Sequence, residues 1–150
     1  MIRRHEDIII ESLARFLAPF IQAFALYVLF LGHYSPGGGF QGGVLMAASF
    51  ILLVIAYDIK EGKRRFTEKF NIVLNGTGVL VYSGIGLLCL ILGGNFLDYS
   101  QLAAILPVGP EEARSLGILG VEIGVEITVA AIMVSIFLDL ASAGEHEGAL

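Results

Sequence analysis

Four apolar segments of about twenty residues each leave this chain few ways to fold in water. They cover about residues 13–31, 43–59, 72–92 and 117–140 of the 150. A helix needs roughly 20 residues to cross the hydrocarbon core of a bilayer, and each segment is close to that length. Composition agrees, since 56% of the residues are hydrophobic and 15% are charged, against about 45–50% and 25% in soluble domains. The sequence therefore predicts an all-α, polytopic membrane protein whose four transmembrane helices form one membrane domain over residues 1–150.

The basic residues are distributed unevenly and predict how these helices are oriented. Eight of the nine lie at the N-terminal end or between the second and third segments, and only Arg114 lies on the other side. Cytoplasmic loops carry the excess of Lys and Arg, so we expect a multi-pass protein of the cell membrane with both termini cytoplasmic. The connections before the second and fourth segments are then expected at the outer face. A cleaved signal peptide is disfavoured, because the first segment is longer than the usual apolar core of one.

The first outer connection is the glycine-rich stretch "LGHYSPGGGFQGGV", from Leu31 to Val44. Its "GGGFQG" part matches the dinucleotide pattern G-x-G-x-x-G, but neither a βαβ unit nor a Gly-Lys-Ser/Thr accompanies it. We therefore expect no nucleotide or nucleic acid as a partner. A tight turn between helices explains one or two of these glycines. The others favour close backbone contact with a neighbour, because irregular backbone at membrane depth must be covered by protein or line a cavity.

The fourth apolar segment carries two acidic residues, Glu122 and Glu126, in "LGVEIGVEITVA". Residues four apart share a helix face, and a rise of about 1.5 Å per residue brings Glu126 close to mid-membrane. Carboxylates at that depth are costly unless they face protein or water, and they are typical of ion and proton pathways. Two interpretations stay open. Either the pair handles ions, or polar partners on another subunit satisfy it and it holds a complex together.

The opposite face of the same segment consists of small residues. Gly120, Gly124 and Thr128 repeat every four positions, about 200° around the helix from the glutamates. Small residues at this spacing are typical of helices that approach each other closely in membranes. The pattern predicts a packing seam.

His33 is the only histidine close to a membrane segment. Its imidazole either hydrogen-bonds to fix the glycine-rich stretch or relays protons at the outer mouth, since a histidine titrates near neutral pH. A lone histidine and the single cysteine, Cys89, do not supply the ligands of a metal site. We expect no metal and no cofactor.

The glycine-rich stretch also carries a longer signature. It reads Gly-His-x-x-Pro-Gly-Gly-Gly-Phe-x-Gly-Gly, formed by Gly32, His33, Pro36, Gly37, Gly38, Gly39, Phe40, Gly42 and Gly43. This closely resembles the signature of the B subunit of multisubunit Na⁺/H⁺ antiporters, the Mrp or Mnh family. The likeness extends over about residues 10–140. Glu122 matches an acidic position of that family, whereas Glu126 is additional.

The resemblance implies a small four-helix subunit that works with other membrane subunits in the lipid bilayer to exchange Na⁺ and H⁺. The same antiporter module occurs in respiratory complexes such as membrane-bound hydrogenases, and the sequence does not choose between the assemblies. We expect a subunit that helps to build the antiporter and lines an ion pathway through Glu122, Glu126 or His33. The alternative is a structural adaptor that conducts nothing, while a quinone-site or redox subunit is disfavoured. By itself the chain is not expected to be a catalyst.

Overall fold

Four long helices account for most of the protein. The computed structural model describes residues 7–32, 37–57, 59, 62, 64 and 66–146. The helices are α1 (Asp7–Phe30), α2 (Gly39–Tyr57), α3 (Glu68–Ile91) and α4 (Pro110–His146), and a short 3-10 helix, η1 (Tyr99–Ala104), precedes the last of them. No strand occurs among these residues, and each long helix is long and apolar enough to cross a membrane. The predicted all-α fold with four membrane helices is confirmed.

The helices pack as an open row in the order α1, α2, α4, α3. Helix α1 lies along α2, α2 along α4, and α4 along α3, whereas α1 touches α4 over only a short stretch. Within the described residues no extensive contact joins α1 to α3. The row leaves one whole side of α1 and of α3 open to lipid or to other subunits.

All four helices begin earlier than the apolar pattern predicts. Helix α4 begins at Pro110 rather than near residue 117, so the connection that precedes it ends at residue 109. Proline is well tolerated in a first turn, and the acidic pair Glu111 and Glu112 faces the positive end of the helix dipole. The apolar pattern marks only the part of each helix that faces hydrocarbon. The helix itself begins several residues earlier, among polar residues. The 37 residues of α4 span roughly 55 Å, more than the bilayer core requires.

The connection between α3 and α4 forms an ordered cap on one end of the row. Cys89, Leu102 and Ala113 are buried together and join α3, η1 and α4. The Asp98 carboxylate accepts hydrogen bonds from Ser100 and Gln101 at the start of η1. These hydrogen bonds lower the pKa of Asp98 below its ordinary value, so the capping carboxylate stays ionised further into the acid range than an unpartnered aspartate.

Membrane orientation stays a prediction, and two exposed residues at opposite ends of α3 provide a test. Asn95 follows α3 and Lys69 lies in its first turn, while the native Cys89 is fully buried and gives little background labelling. We expect Asn95→Cys to react with a membrane-impermeant maleimide in intact cells, because the predicted orientation places it on the outer side. Lys69→Cys should react only after permeabilisation. The reverse pattern would contradict the cytoplasmic assignment of both termini.

Candidate functional site

The glycine-rich stretch and the two glutamates, far apart in sequence, meet where α2 crosses α4. A Cβ atom placed on Gly39 would overlap the backbone oxygen of Glu122 and lie 2.8 Å from its carbonyl carbon. One turn further, a Cβ atom on Gly43 would lie 2.8 Å from both the backbone oxygen of Glu126 and the Cβ of Val129. The two glycines and the two glutamates have the same spacing of four residues. The backbones of α2 and α4 are therefore in direct contact at two successive turns.

The side chain of Glu122 points towards the turn that joins α1 to α2. A Cβ atom on Gly32 would lie 2.8 and 2.9 Å from its two carboxylate oxygens, and one on Gly38 would lie 3.0 Å from Oε1. Gly38 also has a φ of 117°, a backbone conformation that side-chain-bearing residues rarely adopt. We call the five residues Gly32, Gly38, Gly39, Gly42 and Gly43 the glycine cradle.

Glu126 lies deeper, midway along the apolar span Pro110–Ser142. It is only 5% exposed, and its Oε1 atom is buried without a hydrogen bond from any residue that the structure describes. A Cβ atom on Gly42 would lie 3.2 Å from this oxygen and 3.1 Å from the carbonyl oxygen of Ala25. The carboxyl group of Glu126 is thus enclosed where α1, α2 and α4 come together.

The small-residue face of α4 is turned the other way, towards α3. A Cβ atom on Gly124 would lie 2.9 Å from the backbone oxygen of Gly78, and one on Gly78 would overlap Thr128 Oγ1. The Thr128 hydroxyl donates to the carbonyl oxygen of Gly124 at 2.9 Å, so it needs no acceptor on α3. Gly120 lies against the end of the Ile85 side chain. Helix α4 therefore presents its acidic face to α2 and its glycine face to α3.

The remaining residues of the signature are placed differently. Gly37 lies against Val28 of α1, and Phe40 is exposed on the outside of α2. His33 and Pro36 lie outside the described residues. The backbone oxygen of Ala25, which lines the enclosure of Glu126, was not predicted, because an alanine within an apolar run carries no sign of a polar contact.

The contact between Gly39 and Glu122 predicts an unequal response to added methyl groups. Gly39→Ala should destabilise the purified chain by about 1–3 kcal/mol, since the new Cβ meets backbone atoms that no side-chain rotation can move away. Gly76→Ala on α3 is the matched control, because a Cβ there meets nothing within 4 Å. It should be neutral, or stabilising by up to about 1 kcal/mol through helix propensity. Equal melting temperatures of the two variants in detergent would contradict the close contact.

Comparison with known proteins places these residues in a family. A family model described as "Domain related to MnhB subunit of Na+/H+ antiporter" matches residues 9–135, which include the glycine cradle and both glutamates. Similar curated proteins are those named "Putative antiporter subunit mnhB2" in Staphylococcus aureus strains Newman, USA300 and COL. Each is 28% identical over 138 residues, which cover 91% of this chain and 96% of the relative. The chain belongs to the family related to the MnhB subunit of the Na⁺/H⁺ antiporter.

Proposed function

We propose that this chain, as a membrane subunit of a multisubunit Na⁺/H⁺ antiporter, contributes a proton-carrying carboxyl group at Glu126. The observation that supports this most directly is the enclosure of Glu126 at the middle of α4, with a carboxyl oxygen that accepts no hydrogen bond within the described ranges. The other membrane subunits complete the pathway, and Na⁺ and H⁺ are the ions exchanged. The glycine cradle holds α1 and α2 against the acidic face of α4.

A carboxyl group at this depth is suited to gain and lose a proton. Burying an ionised carboxylate without a cationic partner costs far more free energy than burying the neutral acid. The protonation state of this carboxyl group therefore depends on whether water or a polar group of a neighbouring subunit reaches it. Ionisable residues within membrane spans are rare and mark proton and ion pathways by default.

Glu122 provides a step between Glu126 and the turn that joins α1 to α2. The two residues lie on one face of α4, roughly 6 Å apart along the helix axis. Glu122 is partly exposed, and its carboxylate lies against Gly32 and Gly38. Because Gly32 and Gly38 carry no side chains, the carboxylate approaches the backbone of the turn closely at these two described positions. The arrangement supports Glu122 as the outer relay and Glu126 as the buried carrier.

The open sides of the row support a second role in assembly. Helix α1 exposes a series of large aromatic side chains, namely Phe16, Phe20, Phe24, Tyr27 and Phe30. In the bilayer these side chains face lipid or the other membrane subunits. A structural adaptor would use such surfaces alone and would not need either glutamate to ionise. The two roles therefore differ in what they require of Glu122 and Glu126.

Replacement of Glu126 by glutamine separates ion handling from assembly. Glu126→Gln keeps the volume of the side chain but removes its ionisable proton, so we expect normal co-purification of the complex and at least a tenfold loss of coupled exchange. Exchange is measured as Na⁺-dependent dissipation of a pH gradient in everted membrane vesicles. Glu111→Gln is the matched control, since Glu111 is exposed in the first turn of α4, and it should leave exchange unchanged.

Two further variants define the alternative outcome. Glu126→Asp retains the carboxyl group and should keep part of the activity, with a displaced pH optimum. Glu122→Gln should reduce exchange less than Glu126→Gln if Glu126 is the buried carrier. If both glutamine variants assemble and exchange ions with unchanged rate and pH dependence, the carboxylates are structural and the chain is an adaptor.

A further inference from the structure

A crevice between α3 and α4 contains oxygen-bearing side chains that the proposed function does not use. It lies between the first turn of α3 and the last third of α4, away from both glutamates, and has a volume of about 340 Å³. The polar residues that line it are Thr67, Asn71, Ser135, Asp139 and Ser142. None of the lining residues within the described part of the chain is basic.

Asn71 gives the first indication that the crevice holds a ligand. Its side chain is only 8% exposed, and its amide oxygen is buried without a hydrogen bond from the residues described. Buried side-chain oxygens in folded proteins nearly always have a partner, whether a protein donor, water or an ion. The Asn71 oxygen is therefore free to coordinate a ligand that enters the crevice.

The facing side of α4 supplies further oxygen atoms. Ser135, Asp139 and Ser142 follow a spacing of four and three residues, which places them on one helix face. The Ser142 hydroxyl donates to the backbone oxygens of Leu138 and Asp139 at 2.8 and 3.0 Å. Its hydrogen is thus directed at the helix backbone, and its oxygen keeps lone pairs for a ligand. Asp139 is exposed at the rim and has no ion pair with another described residue.

The donor set indicates the charge of the ligand. Carboxylate, amide and hydroxyl oxygens are hard donors that suit alkali and alkaline-earth cations. Divalent ions are usually bound by several carboxylates, whereas this crevice offers one carboxylate among neutral oxygens. We propose that the crevice between α3 and α4 binds an alkali-metal cation through Asp139, the Asn71 amide oxygen and the neighbouring hydroxyls.

This site is separate from the proton-carrying group. Asp139 follows Glu126 by thirteen positions in α4, which corresponds to roughly 20 Å along the helix. Cation binding here does not require Glu126 to ionise. A binding measurement on the full chain therefore tests this proposal independently of the exchange measurement that tests Glu126.

Thermal unfolding of the purified full-length chain in detergent measures the binding directly. NaCl or KCl should raise the melting temperature saturably above that in choline chloride at the same ionic strength, because a cation that binds only the folded chain stabilises it. Asp139→Asn removes the charge from an exposed position and should raise the half-saturating concentration about tenfold. Asn71→Ala should do the same.

Two variants outside the crevice serve as controls. Asn75→Ala changes the same residue type one turn further along α3, and Glu112→Gln removes an exposed carboxylate at the other end of α4. Both should keep the wild-type response. The proposal is overturned if choline chloride stabilises the chain equally, or if Asp139→Asn and Asn71→Ala respond like the wild type. A loss of stability in Asp139→Asn that is the same in all salts would also overturn it, and would show that the carboxylate only supports the fold.

Discussion

Direct backbone contact between α2 and α4 is the constraint on which the rest of the structure depends. Gly39 and Gly43 bring the first turns of α2 onto the backbone of Glu122 and Glu126, where a single added carbon atom would already overlap. Lipid tails are as apolar as the side chains they surround, so moving an apolar side chain from lipid to a helix contact gains little free energy. Close packing between small residues therefore contributes much of the stability of helix association in membranes. The glycines before and within α2 are therefore needed for the contact between α2 and α4 as well as for the turn that precedes α2.

This contact determines where the two carboxyl groups lie. With α2 pressed onto α4, the Glu122 side chain is directed at the turn after α1, and the Glu126 side chain is enclosed beside Gly42 and the Ala25 carbonyl. A second glycine contact, between Gly78 and Gly124, fixes α3 on the far side of α4. Helix α4 is consequently held on both faces. Its glutamates are positioned by packed helices, as the proposed proton exchange at a fixed depth requires.

Sequence patterns predicted the helices and the residue types of the site, but not how they come together. The four apolar segments indicated four spans, and the spacing of Glu122 and Glu126 placed them on one helix face. Their apposition with Gly39 and Gly43 could not be predicted, because it depends on the order of the helices in the row, which no local pattern encodes. Asn71 was missed for a similar reason. A single asparagine near a helix start carries no sign that its amide oxygen will be buried without a donor.

Disulfide cross-linking between α2 and α4 tests the central contact most directly. Gly43→Cys combined with Val129→Cys, in a chain whose Cys89 is replaced by serine, joins two Cβ positions that lie 2.8 Å apart. A disulfide needs about 3.5–4.5 Å between them, so a shift of roughly 1 Å suffices. After oxidation in membranes and cleavage between α2 and α3, the two fragments should stay joined until they are reduced. Cross-linking no stronger than that of Gly76→Cys with Val129→Cys would contradict the direct contact between the glycine cradle and the acidic face of α4.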